Sequence, residues 1–379
     1  MTKIYLIRHA EAEGNLYRRV QGHYDGDITA KGFAQIGLLA ERFRDVRIDA
    51  LYASDLRRTQ KTAGAILKYH DLALNIEPRL KEIGMGVWED RPWGNVAYED
   101  TEQMLHFVGD AEKWNVEGGE PFAHLRRRLS GIILELAERH ENETIACFSH
   151  GMAIRTFLGY ALGLPLDRAQ EVPHGDNTCV AFMTVDKGRI ELHYYNDRSH
   201  LPDELSTFAR QRWWQSESQE DFSNLRFVPM DPRKDAELYS SCYRDAWKFS
   251  HGTLRGYSDG PYLRSAQTAC AINPLSLMKV FSGDDFAGII ELDPERASEK
   301  GAGWISLCYL TPAYRGKNLA VQLIGHAVSV FRGLGRVSLR LHVAETNTRA
   351  IAFYGKYSFE RIGSAKGNLC PLLLMEKKI

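Results

Sequence analysis

The apolar run at residues 4–7, Ile-Tyr-Leu-Ile, stops at the charged pair Arg8-His9. Its length and branched side chains fit a parallel strand buried on both faces. A charged pair suits the end of such a strand only where it meets a crevice, and in open α/β sheets ligand crevices lie beyond the carboxyl ends of the strands. The arrangement returns at residues 144–148, Thr-Ile-Ala-Cys-Phe, which lead into Ser149-His150-Gly151. Two histidines at strand ends constrain this part of the chain to an α/β sheet with one functional edge.

The intervening sequence supplies charge to that edge. Thr29 is a candidate N-cap for a helix reaching residue 44, and residues 51–54 form a short strand. Asp55-Leu56-Arg57-Arg58-Thr59 then runs into helical apolar spacing at Ile66 and Leu67. An arginine in a helix's first turn meets a phosphate together with favourable backbone charge; Arg58 is preferred to Arg57, although periodicity does not separate them. The turn-rich residues 78–89 carry a candidate acid, Glu82, with Glu89 close by. A helix spans 120–139, with Leu125, Leu129, Ile132, Ile133 and Leu136 at helical spacing. Its Arg126-Arg127-Arg128 triplet cannot point one way and reads as a solvated or salt-bridged face. His23, His174 and His200 fall near loops and read as local structural groups. Residues 179–195 alternate around Lys187-Gly188 as a hairpin. No metal-ligand spacing stands out. Two histidines, two arginines and a glutamate meet the needs of phosphoryl transfer: a nucleophile, charge clamps and a proton donor.

Residues 1–200 resemble the histidine phosphatase superfamily, the branch that includes cofactor-dependent phosphoglycerate mutases. The resemblance rests on Arg8-His9 with Glu11 and Asn15, on Ser54-Asp55-Leu56-Arg57-Arg58 with Thr62-Ala63, on Glu82 before Gly86-Val87-Trp88-Glu89, and on Ser149-His150-Gly151. It implies a phosphoglycerate mutase-like three-layer α/β domain acting on a small phosphorylated metabolite, with no cofactor required. It implies that His9 becomes a phosphohistidine, that Arg8, Arg58 and His150 hold the phosphoryl group, and that Asn15 adds a neutral contact. Glu82 becomes the acid that protonates the leaving oxygen and then the base that activates water. His9 must attack through an unprotonated nitrogen, whereas His150 helps most by donating to phosphate. Ala10 replaces the family's usual glycine, and Ala12 replaces a threonine or serine; losing that hydroxyl is expected to alter phosphate affinity. The stretch between Glu82 and the 120–139 helix is short and is expected to add little enclosing structure. That favours hydrolysis over the alternative, a phosphoglycerate mutase-type activity.

A chain of 379 residues exceeds the size at which one core usually keeps growing. Two domains are expected, 1–204 and 224–379, joined by a connector at 205–223 in which Trp213-Trp214 pack at a domain face. The second begins with a strand at 225–229 and one or two helices over 231–249. Strands at 286–292 and 303–310 lead to Tyr314-Arg315-Gly316-Lys317-Asn318-Leu319-Ala320 and a helix to residue 331. Consecutive amides at such a turn can cradle a pyrophosphate, with Arg315 and Lys317 adding charge. A strand at 336–343, then Asn347, Ala350, Phe353-Tyr354 and Phe359, and a last strand at 372–375 complete a mixed sheet. This half resembles the GNAT acetyltransferases. The resemblance implies acetyl-CoA with its pyrophosphate over Arg315, Gly316, Lys317, Asn318, Leu319 and Ala320, Asn347 near the pantetheine arm, and Tyr354 protonating the departing thiolate. Asn318 stands where the family usually has glycine, and asparagine tolerates the left-handed region. Glu291 and His342 are both candidates for the base. The expected whole is a bifunctional phosphomonoester hydrolase and N-acetyltransferase with an unspecified amine acceptor; the alternative for the second half is an acyl-CoA-sensing or structural module.

Composition narrows the partners. Lys and Arg number 48 against 49 Asp and Glu, so the basic excess typical of nucleic-acid surfaces is missing. The six cysteines are spread without C-x-x-C spacing and read as buried thiols. No apolar run approaches the roughly 18 residues of a membrane span, and the first residues lack a signal-peptide pattern. A cytoplasmic protein is expected, with its oligomeric state open.

Overall fold

The computed structural model describes residues 1–209 and 224–379. Trp213-Trp214 and most of the proposed connector lie outside the described residues. The chain divides into two compact units, Met1–Gln219 and Glu220–Ile379. Among the described residues, no helix is long and apolar enough to cross a membrane, and all six cysteines are free thiols.

The first unit runs β1 (Thr2–Arg8), α1 (Glu13–Tyr17), α2 (Ala30–Phe43), β2 (Ala50–Ala53), α3 (Arg57–Leu67), β3 (Leu74–Ile76), α4 (Trp93–Glu99), α5 (Thr101–Gly109), α6 (Phe122–Arg139), β4 (Thr144–Ser149), α7 (Gly151–Ala161), β5 (Val180–Asp186) and β6 (Arg189–Asp197). Its sheet has the order β3-β2-β4-β1-β5-β6. The first four strands are parallel, and β5 and β6 are antiparallel additions. Ile4, Leu6 and Ile7 of the central β1 are fully buried, as a strand covered on both faces requires. Thr29 caps α2 by accepting from the Gly32 amide. Lys187 and Gly188 have φ of 49° and 80°, the paired left-handed residues of a type I′ hairpin turn.

The stretch after Glu82 is more structured than its sequence suggests. Helices α4 and α5 bring Trp93 and Phe107 against Trp88, Trp114 and Phe122, with ring centroids 5.6 to 6.5 Å apart. Aromatic burial rather than helical periodicity orders it, which is why neither helix was legible. The expectation of little added structure is therefore corrected.

The second unit runs β7 (Leu225–Pro229), α8 (Ala236–His251), α9 (Asp259–Ile272), β8 (Leu277–Ser282), β9 (Asp285–Asp293), β10 (Ala302–Leu310), α10 (Val321–Gly333), β11 (Ser338–Ala344), α11 (Thr348–Lys356), β12 (Glu360–Ala365) and β13 (Leu372–Lys378). The sheet order is β12-β13-β11-β10-β9-β8-β7. Only β10 and β11 pair in parallel, over Ala302–Ile305 against Ser338–Leu341. Between Ile305 and Leu307 the β9–β10 register shifts. Such a bulge bends its strand, and beyond it β10 and β11 part.

Gly303 sits under α10, where an added Cβ would lie 2.2 Å from Phe331 Cγ. Gly303→Ala is expected to destabilise the second unit by about 1–3 kcal/mol through overpacking. Thermal unfolding checks this, and Phe331→Leu in the same chain should recover part of the loss.

Candidate active sites

In the first unit, β1 and β4 pair with Arg8 opposite Ser149, so the residues that follow both strands share one sheet edge. The rings of His9 and His150 are 5.3 Å apart. His9 Nδ1 lies 2.7 Å from the Ala10 carbonyl. A carbonyl only accepts, so Nδ1 carries the proton and Nε2 keeps its lone pair. Asn177 Nδ2 donates to the His9 carbonyl at 2.9 Å, fixing the backbone beneath the ring. Burial, then the charges of Arg58 and Arg8, holds His9 well below the usual histidine range. A neutral imidazole with a free Nε2 results.

Arg58 is fully buried, and burial lowers its pKa to about 10. Its Nε donates to His150 Nδ1 at 3.1 Å, and its Nη atoms donate to the carbonyls of Tyr24 (2.9 Å) and Gly22 (2.7 Å). Arg57 instead pairs with Asp25 at the surface, so tertiary structure makes the choice that periodicity left open. Because Nδ1 of His150 accepts, Nε2 carries the proton and donates to Ser54 Oγ at 2.7 Å. The expected donation from His150 to phosphate therefore requires one of these two bonds to be exchanged. Arg8 donates to the Gly175 carbonyl at 2.5 Å and lies 5.5 Å from the Phe208 ring centroid, while its buried Nε has no acceptor among the described residues. Neither Arg8 nor Arg58 forms an ion pair with a carboxylate among the described residues. Buried Arg58 and partly buried Arg8, beside neutral histidines, need an anion to compensate them.

Glu82 reaches the start of α7, directly after His150. Oε1 accepts from the amides of Ile83 (3.0 Å) and Ala153 (2.8 Å), and Oε2 from that of Met152 (3.0 Å). Arg128 secures this loop by donating to the carbonyls of Arg79, Lys81 and Glu82 at 2.9, 2.8 and 3.1 Å while pairing with Glu120. Arg128 is thus salt-bridged, as one half of the reading of the triplet expected, and it also holds the loop of Glu82. Glu89 accepts from the amides of Gly22, His23, Tyr24 and Met85 and builds the loop that Arg58 grips. His23 bonds the Glu82 carbonyl, His174 bonds Arg155, and His200 bonds Thr178. Asn15 Oδ1 accepts from the Ala12 amide at 3.1 Å and lies 3.4 Å from Asn177 Nδ2. Ala12 packs with Ala10, Ile28 and Ile36. A hydroxyl there would enter an apolar cluster. Ser54, Asn177 and Arg128 escaped sequence reading as functional groups because each acts through another residue.

In the second unit, a cavity of about 340 Å³ opens where β10 and β11 part, lined among others by Leu307, Cys308, Gly316, Asn318, His342, Asn347 and Tyr354. Gly316 and Asn318 have φ of 80° and 58°, so asparagine does adopt the left-handed conformation. The amides of residues 316–320 donate to no other group among the described residues, and consecutive unsatisfied amides before a helix suit a phosphate. Arg315 is spent elsewhere: Nη2 pairs with Asp245 at 2.5 Å and Nε donates to the Leu310 carbonyl at 2.7 Å. The expected side-chain charge is therefore compensated, and what this residue offers the turn is its backbone. Asn347 caps α11 through Ala350 N at 3.1 Å and donates to Ser250 Oγ at 3.2 Å. Glu291 is buried beneath Tyr239, whose hydroxyl donates to it at 2.9 Å, and burial raises its pKa to about 7. Among the described residues, no group of three or more His, Cys, Asp or Glu could hold a metal ion.

Residues 4–198 match the family described as Histidine phosphatase superfamily (branch 1). The chain belongs to the histidine phosphatase superfamily. Residues 236–359 match the Acetyltransferase (GNAT) family, so a GNAT domain is fused behind the phosphatase domain. The chain is 36% identical over 165 residues, 44% of its own length and 77% of the relative's, to proteins of Yersinia pestis (strain Pestoides F) and Yersinia pseudotuberculosis (serotype O:1b, strain IP 31758) that are each named probable phosphoglycerate mutase GpmB. The solved structure of Bacillus stearothermophilus YhfR is 29% identical with a TM-score of 0.51, covering 53% of this chain and 99% of that one.

The phosphatase domain concentrates histidines whose charged forms are disfavoured. Burial is the leading cause for His9, His150, His174 (lowered to about 3) and His200 (lowered to about 4). The unfolded chain takes up these protons near pH 6.5 and the folded one only at lower pH, so stability falls as pH drops below about 6.5. Each group contributes a slope of at most about 1.4 kcal/mol per pH unit. Unfolding midpoints between pH 7 and 4 should show this decline, and His174→Gln should make it shallower.

Proposed function

We propose that the phosphatase domain hydrolyses a phosphomonoester through a phosphohistidine on His9. The observation that carries this reading is a neutral His9 with its Nε2 lone pair available beside buried Arg58 and partly buried Arg8, neither of which has a carboxylate partner among the described residues. Nε2 attacks phosphorus and the bond to the leaving oxygen breaks, with a proton passing from Glu82 to that oxygen. Arg8, Arg58 and Asn15 hold the phosphoryl oxygens, and His150 joins them once its proton leaves Ser54. Water then attacks phosphorus, the P–N bond breaks, and the water proton returns to Glu82. Glu82 Oε2 accepts a single amide, which leaves a lone pair for that proton.

Substituting His9→Ala should abolish turnover and remove an acid-labile phosphoryl adduct, whereas Glu82→Gln should lower kcat by roughly 10²–10⁴-fold. A second reading, mutase activity, is favoured by the name of the Yersinia relatives. Incubation with 3-phosphoglycerate separates the two. Phosphate release faster than isomerisation is expected, and the reverse overturns hydrolysis.

For the GNAT domain we infer acetyl-CoA-dependent transfer to an amine. Acetyl-CoA supplies an acetyl thioester. The amides of residues 316–320, with Lys317, are suited to its pyrophosphate, and Asn347 lines the same cavity. Burial holds the Tyr354 hydroxyl protonated, so Oη has a proton to give a departing sulfur. His342 lines the cavity and Glu291 does not, which favours His342 as the group that takes the amine proton. Burial and Arg296 lower its pKa, keeping it neutral near pH 7. Tyr354→Phe should slow CoA release by roughly 10²-fold while calorimetry finds acetyl-CoA binding unchanged. Binding without acetylation of any amine supports the sensing alternative instead.

A further inference from the structure

His342, which lines the cavity of the GNAT domain, touches a cation to which no ligand has yet been assigned. Trp304 on β10 lies opposite Asp293 on β9 and Arg340 on β11. Side chains alternate along a strand, so Glu291, Asp293, Trp304 and His342 project from one face. It is the face that carries α8, because Tyr239 of that helix reaches Glu291. Arg296, in the loop after β9, covers this patch. Its guanidinium carbon is 3.6 Å from the Trp304 ring centroid, and its Nη2 is 3.5 Å from His342 Nδ1.

Trp304 is only 5% exposed, so the arginine rests on a buried indole. Asp293 attracts it, but Asp293 Oδ1 accepts from the backbone amides of Glu295 and Arg296, and Arg296 makes no ion pair with a carboxylate among the described residues. A guanidinium held flat by an aromatic ring, without a carboxylate partner, keeps a fork of N–H donors for an anion. With the indole face already occupied by a cation, a purely cationic acceptor such as a polyamine gains nothing there. His342 lines the cavity and touches Arg296, so an anion on Arg296 would sit next to the group placed to receive the amine proton.

We propose that the acceptor is an anionic amine whose carboxylate or phosphate is bound by Arg296 beside His342. This inference rests on the acetyl-transfer reading above. The guanidinium also donates toward His342 Nδ1, so recruiting Arg296 to the acceptor's anion frees that nitrogen for a proton. Amine binding and deprotonation are thereby linked through one side chain.

The test uses the full chain saturated with CoA and amine pairs that differ in the anionic group alone: leucine and isoamylamine, phenylalanine and 2-phenylethylamine, phosphoethanolamine and ethanolamine. Calorimetry is expected to show the anionic member of at least one pair binding tenfold or more tighter. Arg296→Gln should erase that preference while acetyl-CoA binding stays unchanged, and Arg296→Lys, which keeps charge without the fork, should retain part of it. Equal binding within every pair, no binding of any member, or a preference that survives Arg296→Gln overturns the subsite. If acetyl-CoA itself fails to bind, the transferase reading fails and the subsite with it; if it binds and the preference is absent, only the subsite falls.

Discussion

The parallel pairing of β1 with β4 is the constraint on which the phosphatase site depends. Because Arg8 stands opposite Ser149, the next residue of each strand is a histidine at the same sheet edge. Everything else converges on that edge from loops: Arg58 from the start of α3, Glu82 onto the first amides of α7, and Asn177 beneath His9. A one-residue slip in this register would turn alternate side chains to the opposite face and disperse the site.

Burial does the electrostatic work in both domains. Taking a histidine out of water next to a guanidinium disfavours its charged form, so His9 and His150 beside Arg58, and His342 beside Arg296, are held neutral by the same two causes. The cations remain charged because guanidinium is the harder group to deprotonate. Each site thus joins a neutral imidazole to a cation without a carboxylate partner among the described residues, a combination suited to the anionic ligands proposed for it. Acid stability declines as a consequence of the same burial.

Legibility followed the physics of each feature. Strand ends, the Thr29 cap, the Lys187-Gly188 turn and the left-handed Asn318 depend on local backbone chemistry, and a short window of sequence carries it. Helices α4 and α5 depend on five aromatic rings meeting across more than thirty residues, and no local period encodes that. Arg128 looked like one of three equivalent arginines until the loop carrying Glu82 folded against it. Arg315 looked like a phosphate ligand until Asp245 of α8 claimed its side chain. Glu291 and His342 were alike as strand residues, and only the opening between β10 and β11 gave one of them a cavity.

By itself, the sequence determined two α/β units, and it marked the residues proposed for the phosphohistidine site and the turn proposed for pyrophosphate, because strand ends, helix starts and left-handed turns are local properties. The tertiary structure decided which nitrogen of each histidine carries its proton, which arginines are spent on carboxylates and which remain for a ligand. Those outcomes depend on acceptors and counter-charges brought from distant parts of the chain, such as Ser54 with His150 and Asp245 with Arg315. Contacts of that kind exist only once the chain has folded.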